Sequence, residues 1–327
     1  MEKLILRNSL CPGDLLMLTA AVRDLHRAYP GRFTTDVRTP CRDLWSHNPH
    51  LTPIHESDPA ARLIDCHYPL IHQSNSLPHH FIEGFISFLN ETLGLAISLS
   101  EFRGDIHLSD TETALPSPAA QATGRSNHPP FWIIVGGGKY DFTIKWWHRR
   151  RWQAVVDHFR GRLQFVQVGA AGHYHPPLSG VTDLRGKTSL RDLIRLVYHS
   201  DGVVCPVTFA MHLAAAVPLR PDAPANPRPC VVVAGGREPP HWEAYPHHRF
   251  LHTVGTLPCC ATGGCWKLRT VPLGDGDRKD APPHLCTDVT PAGLPRCMDM
   301  ITPRHVTDAI ETYLPEGMAH HGTHLPP

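Results

Sequence analysis

Hydrophobic and polar positions follow one another in blocks along the first third of the chain, in the order typical of strand, loop and helix. Residues 4–6 form a short apolar run that predicts a buried strand. Pro12 and Gly13 then indicate a turn, and Asp14 is placed to open a helix, either as its N-cap or in its first turn. The helix carries apolar residues at helical spacing: Leu15, Leu18, Val22 and Leu25. Two strands and a helix are predicted after it, over residues 33–37, 62–65 and 81–93.

A second block of the same kind begins at residue 131 and runs to about residue 234. Strands are predicted over residues 131–135, 163–168, 202–205 and 230–234, and helices over 151–159, 189–198 and 209–217. Because these strands are apolar throughout and alternate with helices, they favour a parallel sheet covered on both faces, which is an α/β fold. Open parallel sheets bind ligands beyond the carboxyl ends of their strands, so function is expected in the strand-to-helix loops.

Breaks in this pattern divide the chain into parts. Residues 111–130 hold four prolines among small and polar residues and predict a linker. Beyond residue 255, Gly, Cys, Asp and Pro dominate. The predicted parts are an N-terminal lobe (1–110), the linker (111–130), a C-terminal lobe (131–255), a cysteine segment (256–300), a last helix (301–314) and a disordered tail (315–327).

Composition and charge narrow the function classes. The 31 Lys and Arg residues balance 30 Asp and Glu residues, so no overall field attracts nucleic acid or an anionic membrane, and neither is expected as a partner. No apolar run approaches the ~20 residues that a membrane helix needs. The N-terminus lacks the pattern of a secretory signal, so a cytoplasmic location is expected.

Five of the ten cysteines lie close together, in the cysteine segment. Without a secretory signal, clustered thiols favour a metal site over disulfides. The spacing predicts a closed four-thiolate site for a structural iron or zinc ion, formed by Cys260, Cys265, Cys286 and Cys297. Cys259 is a possible substitute for Cys260. The metal would supply folding energy that this segment cannot draw from an apolar core; the alternative is a set of free thiols.

Three loops could carry chemistry. Asp14 follows a strand and could act as a general base, although its spacing alone favours a helix-capping role. The glycines at 136–138, with Lys139 and Lys145 downstream, suit a phosphate group, and the alternative is a simple glycine turn. The helix that begins after Thr208 could receive a diphosphate at its N-terminus, with His212 in a supporting position one turn inside. The loop at 235–240 could line a ligand or only reverse the chain.

These loops resemble glycosyltransferase family 9, the ADP-heptose heptosyltransferases, and most closely the branch that modifies autotransporter proteins. The resemblance spans roughly residues 4–314 and is carried by four stretches, at residues 8–16, 136–147, 183–190 and 206–216. It implies the GT-B fold of two Rossmann-like lobes with a cleft between them. That branch also carries a four-cysteine iron finger, which the cysteine segment resembles.

The resemblance further implies inverting transfer without a catalytic metal, with Asp14 as the general base and Lys145 as the cation that neutralises phosphate. It implies a nucleotide-sugar donor, most readily ADP-heptose, and an acceptor hydroxyl on a protein or glycan. A homo-oligomer is possible. The expected donor-binding residues are Gly13, Gly137, Lys139, Lys145, Lys187, Thr208, Phe209, Ala210, Met211 and His212.

Two alternatives stay open at the level of sequence. The acidic residue that many family members carry in the donor turn is missing here, where Val207 and Phe209 flank Thr208, so the chain could use another nucleotide sugar. It could also be a catalytically inactive binding module of the same fold, stabilised by its metal.

Overall fold

The computed structural model describes residues 1–124 and 129–314. The predicted tail and residues 125–128 of the predicted linker lie outside the described residues. Each half of the described chain contains a parallel sheet. The predicted α/β architecture with parallel sheets is therefore confirmed.

The N-terminal sheet has three strands: β1 (Glu2–Arg7), β2 (Phe33–Arg38) and β3 (Ala61–Asp65). Their order is β2-β1-β3, so β1 is central and pairs in parallel with both neighbours. Because the chain passes from β1 to one side and then to the other, the loop after β1 lies where the strand order reverses, the usual place for a ligand.

The C-terminal sheet has six strands: β4 (Phe131–Ile134), β5 (Gln164–Gln167), β6 (Thr182–Asp183), β7 (Gly202–Pro206), β8 (Cys230–Gly235) and β9 (Arg249–His252). Their order is β6-β5-β4-β7-β8-β9, all parallel. The order reverses between β4 and β7, so the glycine loop after β4 and the turn after β7 flank the expected binding crevice.

The helices cover these sheets and fill the connections. They are α1 (Pro12–Ala28), α2 (Gly84–Leu93), α3 (Asp110–Ala114), α4 (Pro118–Ala122), α5 (Arg149–His158), α6 (Leu190–His199), α7 (Phe209–Ala216), α8 (Pro240–Glu243), α9 (Arg296–Asp299) and α10 (Pro303–Glu311). In the described part of the chain, no helix combines the length and the apolar character that a membrane crossing requires.

One apolar core runs through both lobes. It joins α1, whose residues from Leu15 to Leu25 are buried, to strands and helices of the C-terminal half. Helix α1 packs against α2 on its own side and against α7 on the other. A second core on the opposite face of the six-stranded sheet gathers α5, α10 and the buried Trp147 and Trp152.

The proline-rich stretch between the lobes is partly helical. It contains most of α3 and all of α4, and Ala119 and Ala120 of α4 are buried where α4 packs on α6. The small side chains that suggested a linker also allow this helix to approach α6 closely.

Candidate active site in the interlobe cleft

Asp14 lies in the first turn of α1, at the carboxyl end of the central strand β1. Its Oδ2 accepts a hydrogen bond from the Cys11 backbone N–H at 3.1 Å, and its Oδ1 accepts one from the Tyr68 hydroxyl. Burial raises the pKa of Asp14, and these two hydrogen bonds oppose the rise because they stabilise the carboxylate. Asp14 is thus a half-buried carboxylate with a tuned basicity.

Tyr68 is a site residue that the sequence pattern did not reveal. It follows β3, and since β3 pairs with β1, the two strand ends bring Tyr68 to Asp14. Burial and the nearby Asp14 carboxylate raise the pKa of Tyr68, so the phenol remains a hydrogen-bond donor. The only available signal was its place just beyond a predicted strand.

The start of α1 faces His212 of α7 across the cleft. A β-carbon placed on Gly13 would lie 3.7 Å from His212 Cδ2, an ordinary contact distance. His212 is buried, with its Nδ1 3.0 Å from the Tyr245 hydroxyl and its Nε2 3.4 Å from Glu243 Oε2. The predicted acceptor-side and donor-side elements therefore meet, with His212 held from behind by two side chains of the C-terminal lobe.

Lys145 enters the cleft from the loop after β4 and pairs with a glutamate that sequence reasoning did not single out. Its Nζ lies 2.6 Å from Glu238 Oε1, and the same oxygen accepts a hydrogen bond from Arg237. Burial lowers the pKa of Lys145 and nearby Arg237 lowers it further, whereas Glu243 and Asp14 raise it. Arg237 and Glu238 belong to the loop whose role the sequence left open.

The glycine loop is built by a close approach of two backbones. A β-carbon on Gly137 would lie 1.9 Å from the Tyr174 carbonyl oxygen, and Gly138 exchanges two backbone hydrogen bonds with Tyr174. Lys139 reaches the opposite lobe, where its Nζ lies 2.8 Å from Cys11 Sγ. This loop therefore stands at the mouth of the cleft, opposite the start of α1.

The N-terminus of α7 completes the cleft. Thr208 is the N-cap residue, but its side chain makes no capping hydrogen bond. The first amides of a helix have no partner within the helix, so those of Phe209 and Ala210 can receive an anion. Met211 and His212 follow in the first turn, both buried.

Lys187 differs from the other predicted donor-binding residues. It lies exposed in the loop before α6, where its ammonium group donates to the Asp183 carbonyl at 3.1 Å. Among the described residues it has no hydrogen bond or ion pair with Asp14, Lys145 or Thr208.

The cysteine segment packs against the loops that form the cleft. The Ile144 N–H donates to the Leu268 carbonyl, and Thr143 accepts two hydrogen bonds from Thr270, one from its amide and one from its hydroxyl. On the neighbouring loop, the N–H groups of Cys265 and Trp266 donate to the carbonyls of Gly236 and Arg237. The segment also touches the N-terminal lobe, where Asn75 makes two hydrogen bonds with Gly264 and accepts a third from Trp266.

The thiols of this segment influence one another. Burial raises the pKa of Cys297 to about 12, and the thiols of Cys265, Cys286 and Cys259 add to this effect. Two of the thiols donate to backbone carbonyls: that of Cys260 to Thr253, at 3.5 Å, and that of Cys286 to Asp288, at 3.3 Å. In residues 1–124 and 129–314, no three His, Cys, Asp or Glu side chains stand close enough to form a metal site as they are placed.

Three solved structures illustrate what the chain is similar to. A glycosyl transferase family 9 protein from Veillonella parvula has 13% sequence identity and a TM-score of 0.62, over 95% of this chain and 97% of that one. The E. coli ADP-heptose LPS heptosyltransferase II has 15% identity and a TM-score of 0.58, over 96% and 98%. TibC from enterotoxigenic E. coli, an iron-containing dodecameric glycosyltransferase, has 17% identity and a TM-score of 0.63, over 95% and 76%.

No family model and no curated protein sequence matches the chain. At these identities the likeness is one of architecture. The chain has the α/β fold of the family 9 glycosyltransferases.

Proposed function

We propose that the chain is an inverting glycosyltransferase that moves heptose from ADP-heptose to a hydroxyl group of a protein or glycan. The observation that carries this proposal is the meeting of three features at one interlobe cleft: the Asp14 carboxylate, the Lys145 ammonium group and the first turn of α7. The fold shared with ADP-heptose heptosyltransferases supports the choice of donor.

In the proposed step, Asp14 removes the proton of the acceptor hydroxyl as that oxygen attacks the anomeric carbon of the donor. The bond from the anomeric carbon to the diphosphate oxygen breaks, and its electron pair leaves with ADP. Attack from the face opposite the leaving group inverts the configuration. One base on the acceptor side is sufficient for this chemistry.

The negative charge that develops on the leaving diphosphate needs stabilisation from the donor side. Lys145 supplies a positive charge there, and the amides at the start of α7 supply hydrogen-bond donors with a favourable helix dipole. Both are held by the packed C-terminal lobe, so they need little reorganisation during the reaction.

Titration with ADP, GDP and UDP tests the proposed donor. We expect ADP to bind at least about tenfold more tightly than the other two, equivalent to roughly 1.4 kcal/mol. Tighter binding of GDP or UDP would indicate that the donor is another nucleotide sugar. If calorimetry detects no heat of binding for any of the three nucleotides, the transferase proposal is contradicted. Mass spectrometry of candidate proteins and glycans incubated with ADP-heptose would then identify the acceptor.

Tyr68→Phe is expected to move the acid limb of the kcat/KM profile to higher pH by about half to one pH unit. The Tyr68 hydroxyl stabilises the ionised form of Asp14, so its removal raises the pKa of Asp14 further. Asp14 must be ionised to act as a base. As the solution is acidified, Tyr68→Phe therefore loses activity at a higher pH than the unmodified protein does. The measurement is kcat/KM between about pH 4 and about pH 8.

Tyr313→Phe is the matched control for this substitution. Its hydroxyl also donates a hydrogen bond, to the His247 carbonyl at 2.8 Å, but it lies on α10's side of the C-terminal lobe. Its pH profile is expected to match that of the unmodified protein. An acid limb that stays in place in Tyr68→Phe would rule out the proposed coupling to Asp14.

We further propose that the cysteine segment holds one structural iron or zinc ion, with Cys259, Cys265, Cys286 and Cys297 as ligands. The donor set fits a thiolate-binding metal: burial raises the pKa of Cys297, Cys265 and Cys286, and hydrogen bonds from the amides of Gly236, Lys267 and Asp288 oppose this rise by favouring the ionised forms. Cys259 is preferred over Cys260 because the thiols that act on Cys297 are those of Cys265, Cys286 and Cys259. When bound, the metal would act structurally, by tying the segment together behind the cleft.

Elemental analysis of protein purified without added metal should find about one iron or zinc per chain. Cys259→Ser and Cys265→Ser should abolish this content, whereas the neighbouring Cys260→Ser should retain it and serves as the matched control. Metal loss in Cys260→Ser with retention in Cys259→Ser would reverse the assignment. Folded protein with no metal at all would remove the proposal.

Two further features belong to the same proposal. All ten cysteines are free thiols, which suits a reducing compartment such as the cytoplasm. TibC is dodecameric, and we propose that this chain also self-associates. Light scattering on the purified protein would give its molar mass directly.

A further inference from the structure

Glu238 is a buried carboxylate fixed between two cations. Its side chain is 1% exposed, and its Oε1 receives both Lys145 Nζ, at 2.6 Å, and the Arg237 guanidinium. Arg237 is itself anchored, because its Nε donates to the Lys267 carbonyl at 2.7 Å and its guanidinium lies over the Phe142 ring at 5.0 Å. Glu238 therefore cannot leave Lys145 without disturbing a second, packed ion pair.

We infer that Glu238 is a positioning residue for Lys145, which holds the ammonium group in the cleft before a donor diphosphate arrives. This inference rests on the proposed function, in which Lys145 neutralises the diphosphate. It adds a residue to the site that neither the sequence pattern nor the proposed chemistry required. Arg237 orients Glu238, and Glu238 orients Lys145.

Lys145 needs such a partner because its surroundings disfavour a charged amine. The charged groups that face it come from three elements: Glu238 and Arg237 from the loop after β8, Glu243 from α8, and Asp14 from α1. Burial and Arg237 both favour the neutral amine, whereas Glu243 and Asp14 favour the ammonium form from farther away. On the cysteine segment behind the loop, Lys279 faces Asp141, at 3.5 Å, rather than Lys145.

Removing the Glu238 charge should therefore change how Lys145 responds to pH. An opposite charge within about 4–6 Å typically shifts a pKa by about one to three units toward the charged form. The Glu238 carboxylate lies 2.6 Å from Lys145 Nζ and stabilises the ammonium form, so in Glu238→Gln the ammonium group is expected to lose its proton at a lower pH. The direction of this effect distinguishes charge stabilisation from a purely structural contribution, which would act equally at all pH values.

The first measurement is the ADP affinity of the unmodified protein and of Glu238→Gln between about pH 5 and about pH 9, a range that brackets the lowered pKa of Lys145, which is about 7. At the acid end of this range, Glu238→Gln should bind ADP at least as tightly as the unmodified protein does, because a negative charge near the diphosphate has been removed. As the pH is raised, the ADP affinity of Glu238→Gln should fall at a pH at least about one unit lower than that of the unmodified protein. Two parallel curves, with the same loss at each pH, would overturn the inference.

The second measurement needs no nucleotide. Only the neutral amine of a lysine is acylated, and the pKa of Lys145 is lowered to about 7, so Lys145 should react with acetic anhydride at least about threefold faster at about pH 6 in Glu238→Gln. Peptide mass spectrometry locates the modified lysine. Unchanged Lys145 reactivity would overturn the inference even if ADP binds, whereas increased reactivity in a protein that never binds ADP would count against the proposed function alone.

Two variants complete the design. Glu311→Gln is the matched control, because Glu311 also joins two basic side chains, Arg162 at 2.7 Å and His158 at 3.0 Å, on the far side of the C-terminal lobe. It should leave the ADP curve and Lys145 reactivity unchanged. In a Lys145→Ala background, Glu238→Gln should produce no further alkaline shift, and an undiminished shift there would mean that Glu238 acts through another group.

Discussion

Asp14→Asn is expected to lower kcat by about 100-fold to 10,000-fold, the usual contribution of a general base, while ADP affinity changes by less than about threefold. Asparagine keeps the size and most hydrogen bonds of the side chain but cannot accept the proton of an acceptor hydroxyl. In the proposed mechanism Asp14 acts on the acceptor and the α7 turn holds the donor, so catalysis and nucleotide binding should separate.

The measurement pairs steady-state turnover with a nucleotide titration on the same preparation. Asp192→Asn is the matched control, because Asp192 has the same place in α6 that Asp14 has in α1, three residues after the N-cap with a hydrogen bond to the N-cap amide. Both substitutions remove a helix-capping carboxylate, at a cost of about 1 kcal/mol in stability. Only Asp14→Asn should lose turnover.

Equal activities of the two variants would mean that Asp14 only caps its helix, the interpretation that its spacing favours when the sequence is considered alone. A protein that never turns over, yet binds ADP normally, would instead support the inactive binding module. The hydrogen bond from Tyr68 and the electrostatic interaction with Lys145 favour the role of general base, because a simple capping residue requires neither.

The sequence predicts the position of several candidate residues in the fold, because they directly follow strands. Asp14, Lys139 and Thr208 each lie just beyond an apolar strand, and in an open parallel sheet such positions gather at one edge. Their approximate placement therefore requires only the strand pattern and the direction of the chain.

The partners of these residues could not be predicted, because they depend on packing between distant segments. Tyr68 reaches Asp14 through the pairing of β3 with β1, and Glu238 reaches Lys145 across 93 positions of chain. Adjacent Arg and Glu residues are common on protein surfaces, so the sequence gives no sign that Arg237 and Glu238 are buried. Their burial follows from the fold, in which the cysteine segment covers them. Local patterns thus locate the reactive groups, whereas tertiary contacts decide how each is tuned.

Gly137→Ala is expected to destabilise the protein by about 3 kcal/mol or more and to lower its melting temperature by roughly 6–12 °C. The added β-carbon would lie 1.9 Å from the Tyr174 carbonyl oxygen and 2.9 Å from its carbonyl carbon, so the two backbones must separate. Both sides of this contact are main chain, which cannot move aside as a flexible side chain can. The paired hydrogen bonds between Gly138 and Tyr174 would be strained or lost with it.

Gly138→Ala is the matched control, one residue along the same loop. A β-carbon there would meet Trp146 Nε1 at 3.7 Å, an ordinary contact, and the expected change in stability is within about 0.5 kcal/mol. Thermal unfolding of both variants, followed by ADP titration of whatever remains folded, gives the comparison.

Because Gly137 opens the loop that carries Lys139 and leads to Lys145, its alanine variant should also weaken ADP binding. Similar melting temperatures for the two variants would contradict the close approach of the glycine loop to Tyr174, and with it the shape of the donor side of the cleft.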